Sequence, residues 1–325
     1  MKSKVLTMLK EGDTYVSGQK MCEELSVSRT AVWKAIRQLK EEGYEIESVT
    51  NKGYHLVSIP NLVTREEILE KIKTRFIAKQ VYYQEEVDST NTVAKRLAEE
   101  VASDGLLVTS DLQTGGKGRR GRSWDSKKGS GIFMSLILKP ELEPMYASML
   151  TLVAALCVAK GILELTGLSA QIKWPNDIVV NKKKVCGILT EMNAELDFIH
   201  YVIIGIGINV NTKEFPDEIS HMATSLYLET RKELNRSALI CLVMEQMEVY
   251  YERFLEYRSM APFLEEYNAL LVNQGQQVKI INNKEEMVGI SKGINEKGEL
   301  LVETTQGEIA VMSGEVSVRG MYGYV

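Results

Sequence analysis

The 325-residue chain carries a net charge of −5, with 44% hydrophobic and 26% charged residues, which excludes a disordered or fibrous chain and a protein that is basic over its whole surface. Two or three domains are expected at this length. Its cysteines, Cys22, Cys157, Cys186 and Cys241, are scattered and form no CxxC pair; they read as reduced thiols of a cytoplasmic protein, and the longest apolar stretch, Met145 to Ala159, meets Lys160 before the roughly 20 residues a membrane span needs.

Residues 1–60 read as helix, helix, turn, helix and hairpin. Leu25-Ser-Val-Ser28 interrupts one amphipathic helix and starts another, and Ser28 is placed to cap the second, which runs to about Glu42. Val32, Ile36 and Leu39 line one side of it, while Thr30, Trp33, Lys34 and Arg37 recur on a different face. A capped helix with an apolar inner stripe and an outer stripe of hydroxyl, aromatic and basic groups suits reading of a DNA major groove, with Ser28, Arg29, Thr30, Trp33, Lys34 and Arg37 as candidate contacts. Gly43 ends the helix, and the Asn51-Lys-Gly turn between β-prone flanks predicts a wing with Lys52 at its tip. The segment holds nine Lys or Arg against eight Asp or Glu, so DNA contact must come from one face. The competing reading is a helical interaction domain whose basic face is merely solvated.

Pro60-Asn61 reads as a domain exit, followed by a short amphipathic helix from Thr64 to Lys73. From Val81 to Leu271 the predicted strands are Val81–Gln84, Leu106–Ser110, Ile132–Leu138, Gln171–Trp174, Ile178–Val180, Val185–Thr190 and Tyr201–Ile208, and the predicted helices Asn91–Val101, Pro144–Leu165 and Arg236–Tyr257. Short hairpins such as Asn181-Lys-Lys-Lys184 point to a mixed or antiparallel sheet with helices on one side, an α+β class. The glycine-punctuated tail from Gln274 to Val325 predicts a small β-barrel. The domains expected are 1–60, 61–272 and 273–325.

Three segments carry chemistry. Gln113-Thr-Gly-Gly-Lys-Gly-Arg-Arg-Gly-Arg-Ser-Trp124 satisfies GxGxxG and resembles a P-loop. Neither pattern fits, because no helix opens after it and Arg122 holds the P-loop lysine position. Lys117, Arg119, Arg120 and Arg122 on a glycine-softened loop instead suit closure over a polyphosphate, with RNA gripping as the alternative. Lys173-Trp-Pro-Asn-Asp177 forces a turn that presents Asn176 and Asp177 to a metal or cation, and Lys184 on the next strand could neutralise an acyl phosphate. In Ile204-Gly-Ile-Gly-Ile-Asn-Val-Asn211 the bare glycines leave room for a ligand, or mark a packing bulge. His55, His200 and His221 are far apart and no Ser/His/Asp, HExxH or Cys/His pattern is present, so a reaction run by positioning and charge neutralisation is expected.

Ser89-Thr-Asn91, Gln113, the Gly-Lys-Gly-Arg-Arg-Gly-Arg loop, Lys-Trp-Pro-Asn-Asp177, Lys184 and Gly-Ile-Gly-Ile-Asn209 stand in the order seen in biotin protein ligases, and the chain resembles the bifunctional bacterial ligase/repressor over essentially its whole length. The resemblance implies an N-terminal winged helix-turn-helix, a class II synthetase-like catalytic domain and a C-terminal barrel. It implies formation of biotinoyl-5′-adenylate from biotin and Mg-ATP, then transfer to a lysine of a biotin carboxyl carrier domain. By similarity Ser89, Thr90, Asn91, Gln113, Lys117, Gly118, Arg119 and Lys184 would bind biotin, with Lys184 and Arg119 catalytic. Arg119, Arg122, Trp124, Asp177 and Asn209 would serve ATP, with Asp177 also on Mg2+. It further implies repression of biotin genes by an adenylate-bound homodimer on operator DNA, with no membrane partner. A lipoate or octanoate ligase and a non-catalytic ligand-sensing regulator are the alternatives. Two departures are visible: Lys117 stands where the family commonly has Arg, and no Trp lies between Thr212 and Leu226 to stack on adenine.

Overall fold

The computed structural model describes all residues except 13, 101–102, 122–123, 125–126, 282–285, 314–316 and 321–323. It divides into two compact units, Met1–Asn61 and Leu62–Val325.

In the first unit α1 (Lys2–Glu11), α2 (Gly18–Leu25) and α3 (Arg29–Glu41) precede a hairpin of β1 (Glu45–Val49) and β2 (Gly53–Ser58). The Ser17 hydroxyl accepts from the Lys20 amide, and the Ser28 hydroxyl accepts from Ala31, capping α2 and α3. Ser26 closes α2 in the left-handed conformation at φ 54°, which turns the chain sharply enough for α3 to cross α2. Val5, Leu6, Leu9, Met21, Val32, Ile36 and Leu39 fill the core between the helices. The predicted capped helix and wing are both present, with Asn51 and Lys52 in the turn between the strands.

The second unit opens with α4 (Arg65–Leu69), capped by Thr64. This is a turn and a half rather than the longer helix predicted to Lys73. Among the described residues a seven-stranded mixed sheet follows: β3 (Val81–Val87), β4 (Leu107–Gln113), β5 (Gly131–Leu138), β6 (Gln171–Lys173), β7 (Asp177–Val180), β8 (Lys183–Ala194) and β9 (Ile199–Asn209), in spatial order β3-β4-β5-β9-β8-β7-β6. The β3–β4 pair is parallel and the other pairs are antiparallel. The parallel pair needs a crossover, which α5 (Thr90–Glu100) supplies.

The expectation of helices on one side of this sheet is corrected here, because α5 and α6 (Ala147–Thr166) cover opposite faces. Alternate residues divide the core: Leu107, Leu136 and Ile204 join the cluster under α6 and α9 (Arg236–Tyr257), whereas Val108, Ile137 and Ile203 pack against Val93, Ala94 and Ala98 of α5. All eight residues of β5 are buried, so its apolar run is continuous rather than alternating.

By length and hydropathy Pro144–Thr166 is long and apolar enough to cross a membrane, yet 72% of its window is buried inside the protein. It is the central core helix, and Lys160 reaches out of it to pair with Glu266. Between β9 and α9 lie α7 (Asp217–Ser220) and α8 (Leu226–Thr230). After α10 (Leu264–Leu270), the strands β10 (Gln277–Ile281), β11 (Glu286–Ile294), β12 (Leu300–Thr304), β13 (Gly307–Val311) and β14 (Ser317–Gly320) form an antiparallel sheet in the order β13-β12-β11-β10-β14.

Candidate active site and nucleic-acid interface

The parallel pairing of β3 and β4 extends beyond the sheet: the Thr114 amide donates to the Val87 carbonyl and the Gly115 amide to Asp88. This stitching brings the start of the Arg/Gly loop beside Ser89-Thr90-Asn91, where α5 begins. A cavity of about 50 Å3 lies at that junction, lined by Ser89, Thr90, Asn91, Gln113, Lys117, Gly118, Arg119, Trp124, Asn176, Lys184 and the facing stretches of β8 and β9. The whole predicted biotin set is thereby gathered around one pocket.

Its floor is two glycines deep. Gly187 and Gly207 are cross-strand partners, and a Cβ on either would stand 2.9 Å from the Trp124 indole, so the ring lies on bare backbone that any side chain would fill. Gly205 serves Asn91 in the same way, since a Cβ there would come within 2.2 Å of Asn91 Oδ1. Among the described residues the Trp124 Nε1–H, buried beside Gly207, meets no hydrogen-bond partner.

One wall is a hydrogen-bonded chain. Gln113 Oε1 accepts from the Thr90 amide at 2.8 Å, and Thr90 Oγ1 lies 2.8 Å from the Ser135 hydroxyl, which donates to Asn91 Oδ1 at 2.6 Å. Asn91 Nδ2 donates to Glu191 at 2.7 Å, and Lys95 pairs with the other Glu191 oxygen. Burial pushes the Glu191 carboxyl upward, but hydrogen bonds from Lys95 and Asn91 and the positive charges of Lys95 and Lys117 outweigh it, so the group sits below its ordinary range. Ser135, Lys95 and Glu191 belong to no motif. Glu191 lies one residue past the strand predicted to end at Thr190, and it enters the site because β8 runs on to Ala194.

The opposite wall carries charge. Arg119 Nη1 donates to Asn176 Oδ1 at 2.9 Å, and Asn176 is itself bound through Nδ2 to the Ile188 carbonyl. Lys184 Nζ lies 2.6 Å from Asp177 Oδ1 and 5.4 Å from the centre of the Trp124 ring. The Lys184 backbone pairs with the segment after α7, its amide donating to Met222 and its carbonyl accepting from Thr224. Asp177 backs Lys184 without lining the cavity. Asn209 also stands outside it, bracing the Thr224 carbonyl at 3.1 Å, and Arg122 lies outside the described residues. Trp124 shares the pocket of the biotin set. The arrangement can hold a polar ring against the hydroxyl and amide wall and compensate negative charge that builds up near Lys184 and Arg119.

On α3, Arg29, Thr30, Trp33, Lys34 and Arg37 are all exposed, while Ser28 is committed to capping. Arg29 Nη2 is held by Gln19 Oε1 at 2.8 Å, and the Arg37 guanidinium lies 5.8 Å from the Trp33 ring centre. A groove bounded by Gln19, Arg29 and the wing residues Ser48 to Gly53 runs beside the helix. Lys52 lies 5.7 Å over the Tyr15 ring at its edge.

Comparison with known proteins agrees with this division. The biotin/lipoate A/B protein ligase family matches residues 83–209, an HTH domain residues 2–55, and the biotin protein ligase C-terminal domain residues 275–319. The chain is 40% identical over 310 residues to the bifunctional ligase/repressor BirA of Bacillus subtilis (strain 168), covering 94% of this chain and 95% of that protein. It is 29% identical over 317 residues to the bifunctional ligase/repressor BirA of Escherichia coli (strain K12), covering 97% and 96%. Among solved structures, a biotin protein ligase from Aquifex aeolicus in complex with biotin and ATP superimposes with a TM-score of 0.66 at 34% identity, covering 74% of this chain and 99% of that one. By its similarity over nearly its full length, with the ligase and HTH matches in place, the chain belongs to the family of bifunctional BirA ligase/repressors.

Proposed function

We propose that the chain activates biotin with ATP, transfers it to a lysine of a biotin carboxyl carrier domain, and represses biotin genes through its N-terminal domain. In the first half-reaction a biotin carboxylate oxygen attacks the α-phosphorus of ATP, the α–β anhydride bond breaks and pyrophosphate leaves. In the second the carrier amine attacks the acyl carbon and AMP departs. The observation that carries this reading is the Lys184 ammonium at one end of a glycine-floored pocket whose other wall is built from Thr90, Asn91 and Gln113. Negative charge accumulates at the pentavalent phosphorus, and a fixed ammonium stabilises it more than it stabilises the separate reactants.

A cavity of about 50 Å3 is smaller than the roughly 300–1,000 Å3 of ordinary small-molecule sites. The indole resting on Gly187 and Gly207 is the side chain that would make room for biotin by moving, and a ligand acceptor would then meet its N–H. The uncovered indole is the aromatic surface the site offers to adenine.

Among the described residues no group of three or more His, Cys, Asp or Glu could hold a metal. Asp177, which the resemblance puts on Mg2+, stands behind Lys184 with its two oxygens toward Lys184 and Tyr324, so Mg2+ would be carried in mainly by ATP phosphates and water and would supply charge neutralisation at the polyphosphate. The reading extends to residues 1–60, 61–272 and 273–325 as functional divisions, the last with its five strands curled into a small barrel, and to a cytoplasmic protein. Because the N-terminal segment is almost electrically neutral, two copies in an adenylate-bound homodimer would double the phosphate contacts on a two-part operator.

Biotin-dependent exchange of labelled pyrophosphate into ATP tests the ligase reading. Lys184→Ala is expected to slow it about 100-fold or more, from loss of a charge-stabilising donor. Exchange supported by lipoate instead of biotin would assign the site to lipoate ligation.

A further inference from the structure

Tyr324 stands at the wall that carries Asp177 and Lys184. The Tyr324 hydroxyl donates to Asp177 Oδ2, while Asp177 Oδ1 faces Lys184 Nζ at 2.6 Å. On the other side of the Tyr324 ring, Lys173 Nζ lies 3.3 Å from the ring centre. Lys173 is only 7% exposed, so its ammonium, withdrawn from bulk water, gains from the negative face of the ring. Four side chains thus form one line: Lys173 on β6 holds the ring, the ring's hydroxyl holds Asp177 on β7, and Asp177 holds Lys184 on β8.

The second contact on Asp177 matters mechanically. The torsion that turns a carboxylate is broad and roughly two-fold, so a carboxylate held at one oxygen can rotate and carry its partner with it. A bond at Oδ2 fixes the carboxylate plane and hence the place from which Oδ1 holds the ammonium. Lys184 has a flexible four-carbon stem and three donors, and its contact with Asp177 at 2.6 Å uses one of them to set its location from behind. The other ammonium protons can meet a ligand.

We propose that Tyr324 is a positioning residue for adenylation, clamping Asp177 so that Lys184 is held where the carboxylate and α-phosphate oxygens meet. This rests on the role given to Lys184 above. The bond needs the hydroxyl, whereas the seat on Lys173 needs only the ring, so the two can be separated. In the full-length chain, biotin-dependent pyrophosphate exchange is compared for the unchanged protein, Tyr324→Phe, Lys184→Ala and the double variant, with thermal melting of each.

Tyr324→Phe is expected to lower kcat about five-fold, as for loss of one hydrogen bond to a charged group, with KM for biotin and the melting temperature unchanged. In the Lys184→Ala background the same change should cost nothing further, because the two residues act through one contact. Tyr324→Leu, which also removes the ring from Lys173, should fall below Tyr324→Phe. A Tyr324→Phe protein with the original kcat, or an effect that adds to that of Lys184→Ala, would overturn the inference. Full activity of Lys184→Ala itself would instead overturn the role of Lys184.

Discussion

The pocket depends on side chains that are absent. Gly205→Ala would drive a methyl group to 2.2 Å from Asn91 Oδ1, and Asn91 cannot retreat because its amide is bound to Glu191 and its oxygen to Ser135. Loss of biotin affinity of about ten-fold or more, equivalent to one buried polar contact, is expected by calorimetric titration, with the fold retained. Glu191 adds a pH signature. Its carboxyl is depressed in the folded chain, so its contribution is complete above the unfolded carboxylate value near ~4.3 and is lost as pH falls through the lower folded value. The difference in melting temperature between the unchanged protein and Glu191→Gln should therefore be constant above about pH 5 and shrink below about pH 4. A difference that grows on acidification would show that the Lys95 and Asn91 contacts do not hold the carboxylate form.

At the scale of elements, the helix after the pocket is tied to the sheet by a charge pair sealed from water. Arg236 opens α9 and Asp111 lies in β4; their side chains are 1% and 5% exposed and meet at 2.6 Å, and the same Arg236 nitrogen donates to the Gly131 carbonyl at 2.9 Å. Removing one partner strands a buried charge, so Asp111→Ala is expected to cost about 3–5 kcal/mol in denaturant unfolding. Neither partner was legible as structural from the sequence, because 125 positions separate them and no local pattern marks either. Caps and turns were partly readable: Ser28 caps α3 where its hydroxyl predicts, and the Asn181-Lys182 turn takes positive φ at both positions, the conformation a two-residue hairpin asks for, whereas Thr64, predicted as the start of a helix to Lys73, caps one that ends at Leu69.

For the whole molecule, the HTH match falls within the first compact unit and the two ligase matches within the second. A chain lacking residues 1–60 is expected to lose retardation of biotin-operon DNA in gel shift while retaining carrier labelling. Retained operator binding would remove α3 from the repressor role. Trp33, Lys34 and Arg37 are exposed together on α3, the one-sided arrangement that the repressor reading needs in a segment that is nearly neutral overall.

The sequence by itself put forward most of the residues that line the pocket and most elements, because glycine spacing, capping hydroxyls and the clustered cations act locally and leave local patterns. It offered Gly205 and Gly207 as openings or as a packing bulge, and Lys184 as a charge-bearing group. Only the tertiary structure decided which faces of the sheet were covered, since α5 and α6 are each amphipathic or apolar enough to pack on either side until the crossover geometry chooses. It alone showed that Glu191 aims Asn91, that Asn209 braces a neighbouring segment rather than lining the pocket, and that Tyr324 stands behind Lys184. These are contacts between residues 15 to 147 positions apart. Their existence depends on strand order and register, which no stretch of the chain encodes alone.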